Sequence, residues 1–212
     1  MAGGRPAIAT FDCQGESLGE GYGGNLLTKA FRDSARFALR DRTAATHERL
    51  DAAFSRLDLS TIEGLATFLS ANLLAYRAVE PVLRSADGLP NLPERIAALE
   101  LDLAQLGRPV PEGEIIDLSQ CDPLGIAYVA GGSALGSRIL RQRRLASADP
   151  LVRGAGRFMD DPRMMPYWIA VQGVLRTMAP EEPRFDAVAR GAVAAFNVYG
   201  ESLRRVERDA RR

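Results

Sequence analysis

Histidine is almost absent from this chain: His47 is the only one in 212 residues. A zinc site built on several imidazoles is excluded, and so is a carboxylate dimetal bundle, which needs Glu-x-x-His from two helices. Lysine is nearly missing too. Lys29 stands alone and every other basic side chain is arginine, so guanidinium groups would have to hold any carboxylate ligand. Cys13 and Cys121 are too few and too far apart for a disulfide framework or a thiolate metal site, which fits a reducing cytoplasm. Net charge is absent as well, because 27 basic residues balance 27 acidic ones, leaving no overall field to draw in nucleic acid or a membrane surface. No stretch approaches the roughly 18 apolar residues of a membrane span, and no basic segment precedes an apolar run. A soluble, unprocessed protein is expected. Neither a phosphate loop ending in Lys-Ser/Thr nor a nucleophile elbow is present.

Alternation of apolar and polar residues is also missing, which removes strands and leaves an all-helical fold. Residues 1–30, rich in glycine and small polar residues, read as a flexible tail ahead of one helical domain over 31–212. In that domain Thr43, His47, Leu50, Phe54 and Leu57 recur at helical steps, with Arg40 two turns before His47 on the same face. Ser60-Thr61-Ile62-Glu63 reads as a capping box opening a long helix through Leu83. A helix carrying Ile96, Leu99, Leu103 and Leu106 should end at Gly107, and Asp149-Pro150 reads as a further helix start. Pro162 and Pro166 are expected to bracket a break before Trp168. Pro183 opens a final helix whose buried face includes Val188, Ala192, Ala195, Phe196, Tyr199 and Leu203. The total is about seven or eight helices.

Two features stand out within this plan. The helix expected over 124–144 carries Gly131, Gly132 and Gly136, each weakening it by about 1 kcal/mol relative to alanine. Glycines one turn apart bare a strip of backbone, which suits either close helix packing or a flat ligand. The lone His47 on an amphipathic helix suits either a satisfied boundary histidine or an iron ligand. Haem needs a neutral imidazole on one side, cations for its propionates and an uncluttered surface on the other. His47, Arg40 and the glycine strip offer these three.

The stretch 39–50, LRDRTAATHERL, resembles the proximal helix of haem oxygenases, and 127–136, AYVAGGSALG, is similar to the distal helix of their bacterial branch. ELDLAQLG at 100–107 also looks like that branch, including members associated with bacteriophytochromes. The likeness runs over roughly residues 30–205. It implies that His47 is the proximal iron ligand, that Arg40 and Tyr128 stand near propionates, and that Gly132, Ser133 and Gly136 lie over the haem face. Phe196 and Tyr199 fall on a helix similar to the family's haem-edge helix, and Arg138 and Arg141 would serve propionates or a docking patch for an electron donor. Two positions depart from the pattern. Gly131 stands where the branch usually has an acidic residue, and Ser137 where many members have glycine or alanine.

The activity implied is opening of haem at a meso carbon to biliverdin, carbon monoxide and ferrous iron, with dioxygen and external electrons. Haem would be both cofactor and substrate. The implied partners are a ferredoxin or flavin reductase, and a bacteriophytochrome receiving biliverdin. The alternatives are a non-catalytic haem binder or sensor on the same scaffold, and a helical interaction protein in which His47 is structural.

Overall fold

In the computed structural model, residues 35–113 and 115–212 are described, save the side chains of Ala134, Leu135, Ser137 and Arg138. The tail expected over 1–30 lies outside these residues. Seven helices form among those described: α1 (Ala35–Phe54), α2 (Ile62–Arg84), α3 (Ile96–Gln105), α4 (Pro123–Leu145), α5 (Pro150–Gly154), α6 (Met164–Arg176) and α7 (Pro183–Asp209). No strand occurs among them, and no described helix is long and apolar enough to cross a membrane.

Local chemistry sets the helix ends. Asp122 and Asp149 each accept from the backbone amide two residues on, at 2.9 and 2.8 Å, and a proline follows each at the first helical position. The capping box expected at Ser60 is displaced by one residue. Thr61 is the cap and accepts from Gly64 N at 3.1 Å, while the Ser60 hydroxyl donates to Asp58 at 2.6 Å and Glu63 pairs outward with Arg108. Gly64 explains the shift, because a Cβ there would lie 2.0 Å from the Asp58 carbonyl oxygen and only glycine lets the chain double back so tightly. The break expected between Pro162 and Pro166 is also shorter than predicted. Pro166 sits inside the first turn of α6, where a missing N–H leaves no intrahelical bond unmade.

At its start α3 is capped from another helix. The Glu80 carboxylate of α2 accepts from Arg95 N and Ile96 N at 2.6 and 2.9 Å. Its end is a Schellman turn: Gly107 has φ +65°, Gly107 N donates to Ala104 O, and Arg108 N donates to Leu103 O.

The long α7 is the central post. Its expected face, Val188, Ala192, Ala195, Phe196, Tyr199 and Leu203, is buried against α4, α2 and α1. The α4–α7 crossing is tight enough to exclude side chains: a Cβ on Gly125 would lie 2.1 Å from Val188 O, and one on Gly191 would lie 2.6 Å from Asp122 O. By contrast α1, which also packs on α7 and α6, scarcely touches α4. Both α1 and α4 pack on α6 and α7 while making little contact with each other, and the space between α1 and α4 is termed the slot.

Candidate functional site

His47 projects from the slot side of α1 and is about half exposed. Its Nδ1 lies 3.1 Å from Asp51 Oδ2, one turn on. A carboxylate can only accept, so in the neutral imidazole the proton sits on Nδ1 and Nε2 keeps its lone pair, the form in which imidazole binds a metal. Among the described residues Nε2 has no partner. Phe196 of α7 stands edge-on to the imidazole, centroids 5.4 Å apart and planes at 85°, and limits its swing. Desolvation holds the Asp51 carboxyl above its ordinary range, with the attraction of His47 pulling the other way.

Behind His47, Thr43 is buried and returns its hydroxyl to Leu39 O at 2.8 Å, while Leu50 and Phe54 pack on the core. The periodicity that placed these residues on one face is therefore real, with His47 at its edge. Arg40, two turns earlier, is half exposed; its guanidinium lies 3.4 Å from Asp41 and over the Phe37 ring. So loosely engaged a cation can turn to an anionic ligand.

On α4 the three glycines divide into two kinds. A Cβ on Gly131 would meet Trp168 Cε3 at 2.9 Å and Tyr167 at 3.3 Å, so α6 already fills that space. Among the described residues Gly132 would meet only Trp168 Cη2 at 3.9 Å, and Gly136 nothing within 4 Å. The bare strip therefore runs from Gly132 toward Gly136. Ser133 is exposed and donates to Ala130 O at 2.7 Å, and Tyr128 lies beside the Trp168 ring, centroids 5.7 Å apart.

Phe196 and Tyr199 part company. Phe196 meets His47, whereas Tyr199 points into the interior against Tyr76, with ring centroids 5.9 Å apart. The basic end of α4 is largely committed to structure: Arg141 pairs with Asp160 at 2.9 Å, Arg143 donates to Leu57 O at 3.0 Å, and Arg144 is buried on Asp160 at 2.7 Å. The Arg138 side chain lies outside those described.

A flat, largely apolar ring with a metal and two carboxylates calls for an imidazole, a cation and uncovered backbone, and His47, Arg40 and the Gly132–Gly136 strip are of those kinds. A cleft of about 440 Å³ between α3 and residues 157–163 combines apolar walls, Ala97, Ala98, Leu101 and Pro162, with the charged Glu94, Arg157, Asp160, Asp161 and Arg163, and contains no histidine. In the slot, His47 Nε2 is available to a metal, Arg40 is available to a carboxylate, and the backbone of Gly132 and Gly136 is uncovered.

Haem oxygenase PigA of Pseudomonas aeruginosa is 32% identical over 176 residues, covering 77% of this chain and 88% of PigA. The chain belongs to the haem oxygenase family. A crystal structure of the NO- and CO-bound haem oxygenase of Neisseria meningitidis superposes with a TM-score of 0.67 at 22% identity, over 82% of this chain and 92% of that one, and has the same fold. No family model matches.

Several residues of this family member were not legible beforehand as parts of the site. Asp51 is an ordinary acidic position on a helix, and only its i+4 spacing from His47 hinted at the pairing. Trp168 and Gln172 lie on α6, 37 and 41 residues beyond Gly131 in sequence, and no local pattern connects them to the glycines. Arg95 and Asp161 form a buried pair, Nη1 to Oδ2 2.9 Å, among the Tyr76, Tyr167 and Tyr199 rings. The hydroxyls of those three tyrosines are buried, and among the described residues none makes a hydrogen bond of good geometry.

Proposed function

We infer that this protein is a haem oxygenase that binds haem in the slot between α1 and α4 and cleaves it to biliverdin, carbon monoxide and ferrous iron. The observation that carries this reading is His47, its Nδ1 facing Asp51, on a helix that packs on α6 and α7, the same two helices that support the α4 helix carrying Gly132 and Gly136. Haem, when bound, supplies the iron chemistry that activates dioxygen with electrons from an external donor.

The protein's own share is binding, orientation and exclusion of water. His47 Nε2 holds the iron, and the Asp51 carboxylate makes the imidazole a better donor by sharing the Nδ1 proton. Phe196 keeps the imidazole plane fixed. Arg40 neutralises a propionate, and Arg138 and Tyr128 are candidates for the other. Gly132 and Gly136 let the α4 backbone approach the ring face, where any branched side chain would hold it off. With the only histidine committed to the proximal side, the opposite face carries no imidazole, which suits turnover rather than reversible gas carriage.

The electron donor is a ferredoxin or a flavin reductase, the setting is cytoplasmic, and biliverdin passes to an acceptor such as a bacteriophytochrome. The test is anaerobic reconstitution with haem followed by oxygen, ferredoxin and ferredoxin reductase. Decay of the Soret band with growth of biliverdin absorption and release of carbon monoxide is expected. A Soret band that persists under a competent reducing system refutes the enzyme.

A further inference from the structure

Gly131 and Trp168 form a single unit. The six-membered ring of the Trp168 indole lies along the N-terminal end of the glycine strip: Cε3 is 2.9 Å from where a Gly131 Cβ would sit, and Cη2 is 3.9 Å from that of Gly132. Beyond it, at Gly136, the strip is open. The indole is thus a wall at one end of the uncovered backbone.

The wall is held on three sides. Trp168 is buried, and Tyr128 of α4 flanks its ring. The donors around Gln172 assign that amide oxygen to the side facing them, where Trp168 Nε1 lies 3.1 Å and Arg36 Nε 3.3 Å away. Gln172 is on α6, one turn from Trp168, and Arg36 is in the first turn of α1, the helix that carries His47. One amide oxygen therefore joins the helix of the iron ligand to the plate that abuts the distal glycines. Rotating the indole requires Nε1 to give up its acceptor, and placing a side chain at position 131 requires the indole to move.

We propose that Trp168, oriented by Gln172 and admitted by Gly131, is a positioning residue that sets where haem lies along the Gly132–Gly136 strip, and so which meso edge is presented for cleavage. This rests on the slot being the haem site. A ring lying on the strip meets the indole edge at one end and open space at the other, so its in-plane position is fixed from the walled end. Gly131 is then the residue that makes room for the wall.

The experiment uses full-length protein and the variants Trp168→Phe, Gln172→Leu, Gln172→Glu and Gly131→Ala, each checked for folding by far-ultraviolet circular dichroism. Trp168 is the only tryptophan, so its emission reports directly on the wall. In the wild type, haem titration should abolish that emission by one equivalent. The Soret absorption maximum should be unchanged in all variants, since His47 is untouched. Soret circular dichroism, which senses an aromatic plate against the ring, should change in Trp168→Phe, Gln172→Leu and Gly131→Ala. Gln172→Glu keeps the acceptor oxygen and should retain the wild-type signal. The ratio of biliverdin isomers should shift in the same three variants and not in Gln172→Glu.

Emission that survives haem saturation overturns the proposal, as do unchanged Soret circular dichroism and isomer ratio in the folded variants. Failure of the wild type to make biliverdin would instead strike the enzymatic reading, while the fluorescence and circular dichroism would still decide the position of the wall. Should Trp168→Phe not fold, Gly131→Ala carries the same readouts.

Discussion

A single glycine can be worth more to function than it costs in stability, and α4 separates the two effects. No described residue lies within 4 Å of a Cβ at Gly136, so Gly136→Ala should stabilise the apoprotein by about 1 kcal/mol through helix propensity. The same methyl would stand in the strip where haem lies, so haem affinity should fall. Thermal denaturation of apoprotein and a Soret titration check the two signs. Gly125→Ala should do the opposite to stability, costing about 1–3 kcal/mol or more, because its Cβ would run into Val188 O at the α4–α7 crossing. At His47, removal of the imidazole in His47→Ala should abolish the histidine-ligated Soret spectrum, and added imidazole should restore it. Asp51→Ala should keep ligation but weaken haem binding by about 10–100-fold, the usual effect of losing the group behind a ligating histidine.

Elements here are pinned by side chains from distant parts of the chain. The stretch ELDLAQLG was legible as a family likeness and as a helix ending at Gly107, but its chemistry was not. Asp102, fully buried, accepts from Phe158 N at 2.9 Å and Arg157 N at 3.0 Å and so anchors the segment between α5 and α6 to α3. Asp102→Ala leaves two backbone amides without partners, at about 1–3 kcal/mol each. Denaturant titration should show the loss in midpoint. That segment leads into α6, so the haem-side wall at Trp168 should loosen with it and its emission shift to the red. Glu80 plays the same part for α3, supplying from α2 the cap that Arg95 lacks. In sequence both are acidic residues within apolar patterns, and nothing local distinguishes a buried cap from a solvated charge.

At the scale of the molecule three phenols, Tyr76, Tyr167 and Tyr199, are buried in the interior. Burial raises the Tyr199 pKa well above its ordinary value, and that of Tyr167 likewise, with neighbouring tyrosines adding to both shifts. A phenol with a raised pKa keeps its proton better folded than unfolded. The unfolded chain releases that proton first, near pH 10, so the stabilisation is complete below that pH and is lost as pH rises toward the folded values. Absorbance at alkaline pH should show these two of the five tyrosines ionising only together with the loss of helical signal. Ionisation below the unfolding transition would contradict their burial.

Sequence alone determined the helical class, the turn at Gly107, the cap at Asp149, the buried face of α7 and the pair of stretches that mark the family. These follow from periodicity, capping chemistry and residue type, which act within a turn or two along the chain. The tertiary structure decided the rest, because the remaining contacts join residues far apart in sequence. It turned Phe196 toward His47 and Tyr199 away from it, and committed Arg143 and Arg144 to Leu57 O and Asp160. It also filled the gap at Gly131 with an indole from α6 while leaving Gly136 bare. Two glycines five residues apart are the same residue in sequence; only the packing of another helix makes one a seat for tryptophan and the other an open surface.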